Sequence, residues 1–146
     1  MTAHRYRLWG LNVTSDTALD DWPIPPSAHA EPDVRLFLGP DAAFWRGFAD
    51  APVAFVREVG DGNQLVIRRH VGGWGWAYPD GALFHVSDDG GEVRAAWPPE
   101  YVVEDALTYL VGPIFGFVLR RMGIASLHAG SVVVDGGAVL FAGGPG

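Results

Sequence analysis

The sequence predicts an α+β chain: a mostly antiparallel β domain over residues 1–98, then a helix and a β-hairpin over residues 99–146 that lead into an incomplete Gly-rich loop. Three observations carry this. Short β-like runs alternate with turn residues as far as Trp97, the pattern breaks at Pro98-Pro99, and a long apolar run then precedes two Val-rich stretches joined by Asp135-Gly136-Gly137. A break at paired prolines is physically reasonable, because proline removes a backbone donor and restricts the residue before it.

The β-like runs cover residues 6–13, 33–38, 53–59, 64–69, 74–78, 82–86 and 92–97. Between them stand Gly60-Asp61-Gly62-Asn63, Pro79-Asp80-Gly81 and Asp88-Asp89-Gly90-Gly91, residue types that tolerate the positive φ of tight hairpins. Hairpins repeated at this spacing predict an antiparallel meander. Residues 20–26 read as a proline-fixed loop and residues 41–48 as a short helix or irregular turn.

Beyond Pro99, Glu100-Tyr101-Val102-Val103-Glu104-Asp105 opens a helix with carboxylates in its first turn, where they complement the dipole. Arg120-Arg121 close it and Gly123 caps it, giving a span of about 100–122, bent where Gly112-Pro113 interrupts the hydrogen-bond ladder. Its apolar residues fall on nearly every side, which predicts burial on more than one face. A hairpin over about 125–142 follows, its second strand almost wholly apolar, as for a strand covered on both faces.

Composition bounds the function. The chain has 146 residues, 49% of them apolar and 18% charged, which suits a folded core. A net charge of −7, with all ten basic residues arginine and none of them clustered, argues against nucleic acid as a partner. Cysteine is absent, so disulfides and thiolate metal sites are excluded. The uncharged run over 106–119 is shorter than the roughly 20 apolar residues that span a bilayer, and Met1–Gly10 lacks a signal-peptide pattern, so a soluble cytoplasmic protein without a membrane partner is expected.

The chemistry is concentrated at the end of the sequence. Val139-Leu140-Phe141-Ala142-Gly143-Gly144-Pro145-Gly146 reads as a strand running into the first four positions of a phosphate-binding loop, whose backbone N–H groups and following helix hold nucleotide phosphates. The Lys and the Ser or Thr that complete such a loop are not in these residues. Read without that context, Gly-Gly-Pro-Gly is also compatible with a flexible tail.

Leu127-His128-Ala129-Gly130-Ser131 and the strand-loop segment after it resemble the catalytic domain of HPr kinase/phosphorylase-like P-loop kinases, in which a histidine opens a hairpin whose second strand enters the loop. Tyr6-Arg7-Leu8-Trp9-Gly10-Leu11-Asn12-Val13-Thr14-Ser15 and Asp33-Val34-Arg35-Leu36 are similar to N-terminal strands of the branch found in ribosomal-peptide tailoring clusters, lasso-peptide kinases among them. The resemblance implies ATP and Mg²⁺ as cofactors and a serine of a peptide or protein as phosphoacceptor. It implies that His128 is the active-site histidine and that Gly143, Gly144, Pro145 and Gly146 begin the loop around the β-phosphate. The lysine, the metal-binding hydroxyl and the downstream carboxylates of the family have no counterpart here, so the 146 residues alone are expected to be inactive and to bind no cofactor tightly.

Other readings stand beside these. His128 also fits a half-buried strand histidine bonded to a backbone carbonyl. His70 and His85 are placed to face each other, but two histidines without a third ligand do not make a metal site, and none is expected. Asp20-Asp21, Asp88-Asp89 and Glu104-Asp105 sit at turns or a helix start, where solvation accounts for them. Trp74 and Trp76 share a strand face and serve either a core or a peptide-binding platform. A non-catalytic β module that binds a peptide or protein by edge-strand pairing is therefore the alternative to a kinase, and association with a second copy is allowed by either reading.

Overall fold

A computed structural model describes residues 3–19, 26, 31–39, 45 and 47–143. The eight strands β1 (His4–Leu8), β2 (Leu11–Ser15), β3 (Val34–Leu38), β4 (Val53–Glu58), β5 (Gln64–His70), β6 (Gly73–Ala77), β7 (Leu83–Ser87) and β8 (Glu92–Ala96) form one sheet in the order β1-β2-β3-β8-β7-β6-β5-β4. From β8 to β4 the pairing is the expected antiparallel meander. The centre differs from expectation: β3 pairs parallel with both β2 and β8, because the chain returns to β8 only after completing the meander.

Residues 6–13 are two strands and not one run. Leu8 pairs with Leu11 across a two-residue turn at Trp9-Gly10, whose φ angles are 47° and 82°. Positive φ at both positions matches the twist of a tight hairpin, but it costs a bulky residue such as tryptophan on the order of 1–2 kcal/mol. The expected proline-fixed loop at 20–26 and the short helix at 41–48 lie largely outside the described residues, apart from a bridge between Tyr6 and Pro26 and a turn at Phe48.

Alternation along the strands selects one face for burial. Val13, Val34, Leu36, Phe84, Val86 and Val93 are sealed beneath a bent helix. That helix is α1 (Val103–Tyr109), a π turn over Leu110–Ile114 that contains Pro113, and α2 (Phe115–Arg121). The π turn accommodates an extra residue, and this explains the confused apolar pattern of the sequence. Ala106, Leu107 and Leu110 of the first half are matched eight positions later by Ile114, Phe115 and Val118, and all six are buried. In an unbroken 3.6-residue helix those two sets would point in different directions.

The expectation of burial on more than one face is thereby corrected: one continuous stripe meets the sheet, while Gly112, Pro113 and Arg120 are exposed. Phe117 meets Trp76 edge-on at 4.8 Å and Trp74 at 5.9 Å, so the two indoles serve the core. Tyr109 stacks on Tyr78 at 4.0 Å. The helix shares its core with the sheet, so the change at Pro98-Pro99 is a change of element within one core. Gly123, at φ 74°, ends α2 with Ile124 N–H donating to Leu119 O at 2.8 Å and Gly123 N–H to Arg120 O at 3.2 Å, a Schellman closure.

The last two strands, β9 (Gly130–Val134) and β10 (Gly137–Phe141), form a separate antiparallel hairpin. Every residue of both is exposed, including Val133 at 80% and Phe141 at 63%. The expected two-sided cover of β10 is therefore absent among the described residues. The apolar character of the strand is real, but no described layer lies on it.

Two measurements test this architecture. Phe115 is fully buried and its ring lies 5.0 Å from that of Trp9, so Phe115→Ala is expected to cost about 3–5 kcal/mol in urea unfolding; a loss below about 1 kcal/mol would remove the helix–sheet contact from the core. An isolated two-stranded hairpin is marginal in water, so amides of β9 and β10 should exchange far faster than those of β3, β7 and β8. Equal protection in a chain shown by ultracentrifugation to be monomeric would contradict an uncovered hairpin.

Candidate functional site

The hairpin register builds the site. Phe141 pairs with Gly130, so residues preceding β9 and residues following β10 emerge together at one end. There Leu127, His128, Ala129, Gly130, Phe141 and Gly143, with Arg57 from β4, line an open cleft of about 970 Å³. His128 is exposed and precedes β9 rather than lying within it, unlike the half-buried strand histidine of the structural alternative. Gly143 is the last described residue; the predicted positions Gly144, Pro145 and Gly146 lie outside the described residues.

A second cavity of about 420 Å³ adjoins the first through Leu127 and His128. Its other walls are Trp9 from the β1–β2 turn and Val111, Gly112, Pro113, Gly116 and Leu119 from the bent helix, with Ser126 from the segment that leads to β9. Sequence reasoning did not find Trp9 or Arg57. A tryptophan followed by glycine at a hairpin turn was the available signal for Trp9. Nothing local marks Arg57, which reaches the cleft only through the position of β4 at the sheet edge.

Two other histidines occupy the face of the sheet opposite the helix. His70 on β5 and His85 on β7 flank β6 and meet over its glycines, with ring centroids 6.0 Å apart. A side chain at Gly73 would collide with the His85 ring, and one at Gly75 with Phe48 and His70. Phe48 lies on His70 at 5.1 Å, and His70 Nε2 is buried without a hydrogen-bond partner. Burial pushes His85 down to about 4, helped by His70 and Arg94 and opposed by Glu92 and Asp88. His70 is lowered by burial and then by Arg68 and Arg69. Among the described residues no group of three or more His, Cys, Asp or Glu is placed to hold a metal ion.

The carboxylates act in local structure. Asp88 pairs with Arg69 at 2.9 Å, and the Arg69 guanidinium sits 5.0 Å from the centre of the Trp74 ring. Asp89 accepts hydrogen bonds from Ser87 Oγ at 2.6 Å and Gly91 N–H at 2.9 Å, which hold its carboxyl below the usual range. Asp105 accepts from Val102 N–H at 3.0 Å and so satisfies the helix start. Asp80 accepts from the Tyr109 hydroxyl and from Ala82 N–H, and burial followed by the charge of Asp80 pushes Tyr78 up to about 12. Asp20 and Asp21 lie outside the described residues.

The histidine pair makes stability depend on pH. An unfolded histidine titrates near 6.5 and folded His85 near 4, so the unfolded chain binds more protons in that window and stability falls as pH drops through it. Partial solvent access screens the effect, leaving an expected loss of about 1–2 kcal/mol, read as a lower urea midpoint near pH 4.5 than near pH 7. His85→Gln should flatten the profile; an unchanged slope in that variant would place the titration elsewhere.

No protein-family model, curated protein or solved structure matches the chain.

Proposed function

We propose that the chain carries the N-terminal β domain and the opening of the nucleotide-binding loop of an ATP-dependent serine kinase resembling HPr kinase/phosphorylase, acting in the cytoplasm on a serine of a peptide or protein. One observation supports this reading above the others: the β9–β10 hairpin delivers His128 and Gly143, distant in sequence, to the same open cleft beside Arg57. A strand that ends in glycine beside a histidine is suited to place backbone N–H groups and an imidazole around a phosphate. The Arg57 guanidinium adds a positive charge at the rim.

The residues present fit the phosphate end of ATP in part. Gly143 can approach a phosphate closely, but no lysine or metal-binding hydroxyl follows within the 146 residues, and no described carboxylate cluster offers a seat for Mg²⁺. In the family reading, ATP with Mg²⁺ supplies the transferable phosphoryl group, and these residues contribute only to its positioning. Among the described residues no helix is long and apolar enough to cross a membrane.

A second reading is favoured by β4. All six of its residues are exposed, Val53, Phe55 and Val56 among them, and it forms an edge of the large sheet. An extended peptide can add a strand to such an edge, with main-chain hydrogen bonds supplying affinity and alternate side chains supplying selectivity. The same edge would suit a peptide phosphoacceptor of the kinase.

Titration of the isotopically labelled chain with ATP·Mg²⁺ tests the kinase reading. Weak binding in the millimolar range is expected, with amide shifts at residues 128–130 and 141–146. Absence of shifts there at saturating nucleotide would overturn it. A dissociation constant in the low micromolar range by calorimetry would instead overturn the expectation of weak binding, which rests on the few fixed donors of half a loop without its lysine and helix.

A further inference from the structure

We propose that the 420 Å³ cavity between the β1–β2 turn and the π turn receives the purine base of the nucleotide whose phosphates the Gly143 loop takes. The inference rests on the kinase reading for its phosphate end and on separate observations for its base end.

Four of the residues that line the cavity are ones that local structure disfavours. Trp9 occupies a left-handed turn position where Asn, Asp or Gly would be relaxed, and half of its surface remains exposed although its ring meets Phe115. Gly112, Pro113 and Gly116 are all poor helix formers. Packing does not require the glycines, since a Cβ added at Gly112 or Gly116 would meet nothing within 4 Å. Three costly helix residues and one costly turn residue thus border a single cavity. A strained backbone position such as Trp9 is a recurrent mark of function, as are π turns.

The lining suits a flat, largely apolar ring. Trp9, Gly112, Pro113 and Gly116 border the space together with the apolar side chains of Val111, Leu119 and Leu127, and aromatic rings stack on nucleic-acid bases through their π faces. The volume falls within the range of small-molecule sites. Ser126 and His128 provide polar atoms for the edge of a base. His128 also lines the cleft that contains Gly143, so a ligand with a ring at one end and phosphates at the other would pass this side chain.

Two probes separate the ends of the site. Adenosine should shift the Trp9 indole N–H and the Gly112 and Gly116 amides, whereas inorganic pyrophosphate with Mg²⁺ should shift Gly130 and Gly143. Gly116→Leu fills the cavity while improving helix propensity, and Trp9→Asn removes the indole while suiting the turn, so both variants should fold. Each is expected to weaken adenosine binding about tenfold or more and to leave the pyrophosphate shifts unchanged.

Adenosine leaving Trp9 unmoved up to its solubility limit would overturn the base site, as would wild-type adenosine affinity in Gly116→Leu. Binding of free indole at Trp9 in place of adenosine would overturn it in favour of an aromatic peptide side chain. Adenosine shifts without pyrophosphate shifts would support the base site and remove the kinase reading. Pyrophosphate shifts alone would have the opposite meaning.

Discussion

The contact between the bent helix and one face of the sheet is the constraint on which the rest depends. Among the described residues one bent helix covers the eight-stranded sheet, so both halves of that helix must present their apolar stripes to it. The π turn makes this possible by shifting the second half by one residue, which brings Ile114, Phe115 and Val118 under the same cover as Ala106, Leu107 and Leu110. Burying each large side chain contributes about 1.5–3 kcal/mol, comparable to a sizeable part of the roughly 5–15 kcal/mol that holds a domain folded. The same shift exposes Gly112 and Pro113 on the outer side, where they border the cavity against Trp9. Core packing and the candidate site therefore have one structural origin.

What was legible in the sequence was local. The meander from β4 to β8 was marked by its turn residues; the association of His128 with Gly143 was implied by the family resemblance, and a hairpin whose register a two-residue turn at Asp135-Gly136 fixes brings both to one cleft. Turn chemistry misled at Trp9-Gly10, because a tryptophan is not what a positive-φ position favours, and packing on Phe115 overrode that preference. The parallel pairing of β3 with β2 and β8 has no local signature, since each partner is chosen by the tertiary arrangement. The π turn was visible only as an apparent defect in amphipathicity. The apolar sequence of β10 reports what the strand is suited to, and the described layers do not meet that demand.

The two faces of the sheet divide the chemistry. On the helix side the aromatic side chains of Trp74, Trp76, Tyr78 and Phe84 fill the core beneath Phe117 and Tyr109. On the other side, Gly73 and Gly75 of β6 leave a depression into which His70, His85 and Phe48 settle. Alternation along a single strand, Gly-Trp-Gly-Trp, thus gives one face its bulk and the other its recess. The half-buried histidines belong to the recess, far in role from the exposed His128.

The central position of β3 has a consequence for how the chain is made. Its neighbour β8 lies more than fifty residues further along, so during synthesis β3 waits with one edge unpaired until the entire meander has emerged and Val93 can settle beside Leu36. Contacts of such separation close slowly, because the loop entropy is lost before the pairing compensates for it. The nascent chain accordingly passes through a stage in which an apolar strand, Val34–Leu38, is available to any extended segment nearby. During that interval its open edge is a template for pairing between chains, a hazard that the stability of the finished sheet does not remove.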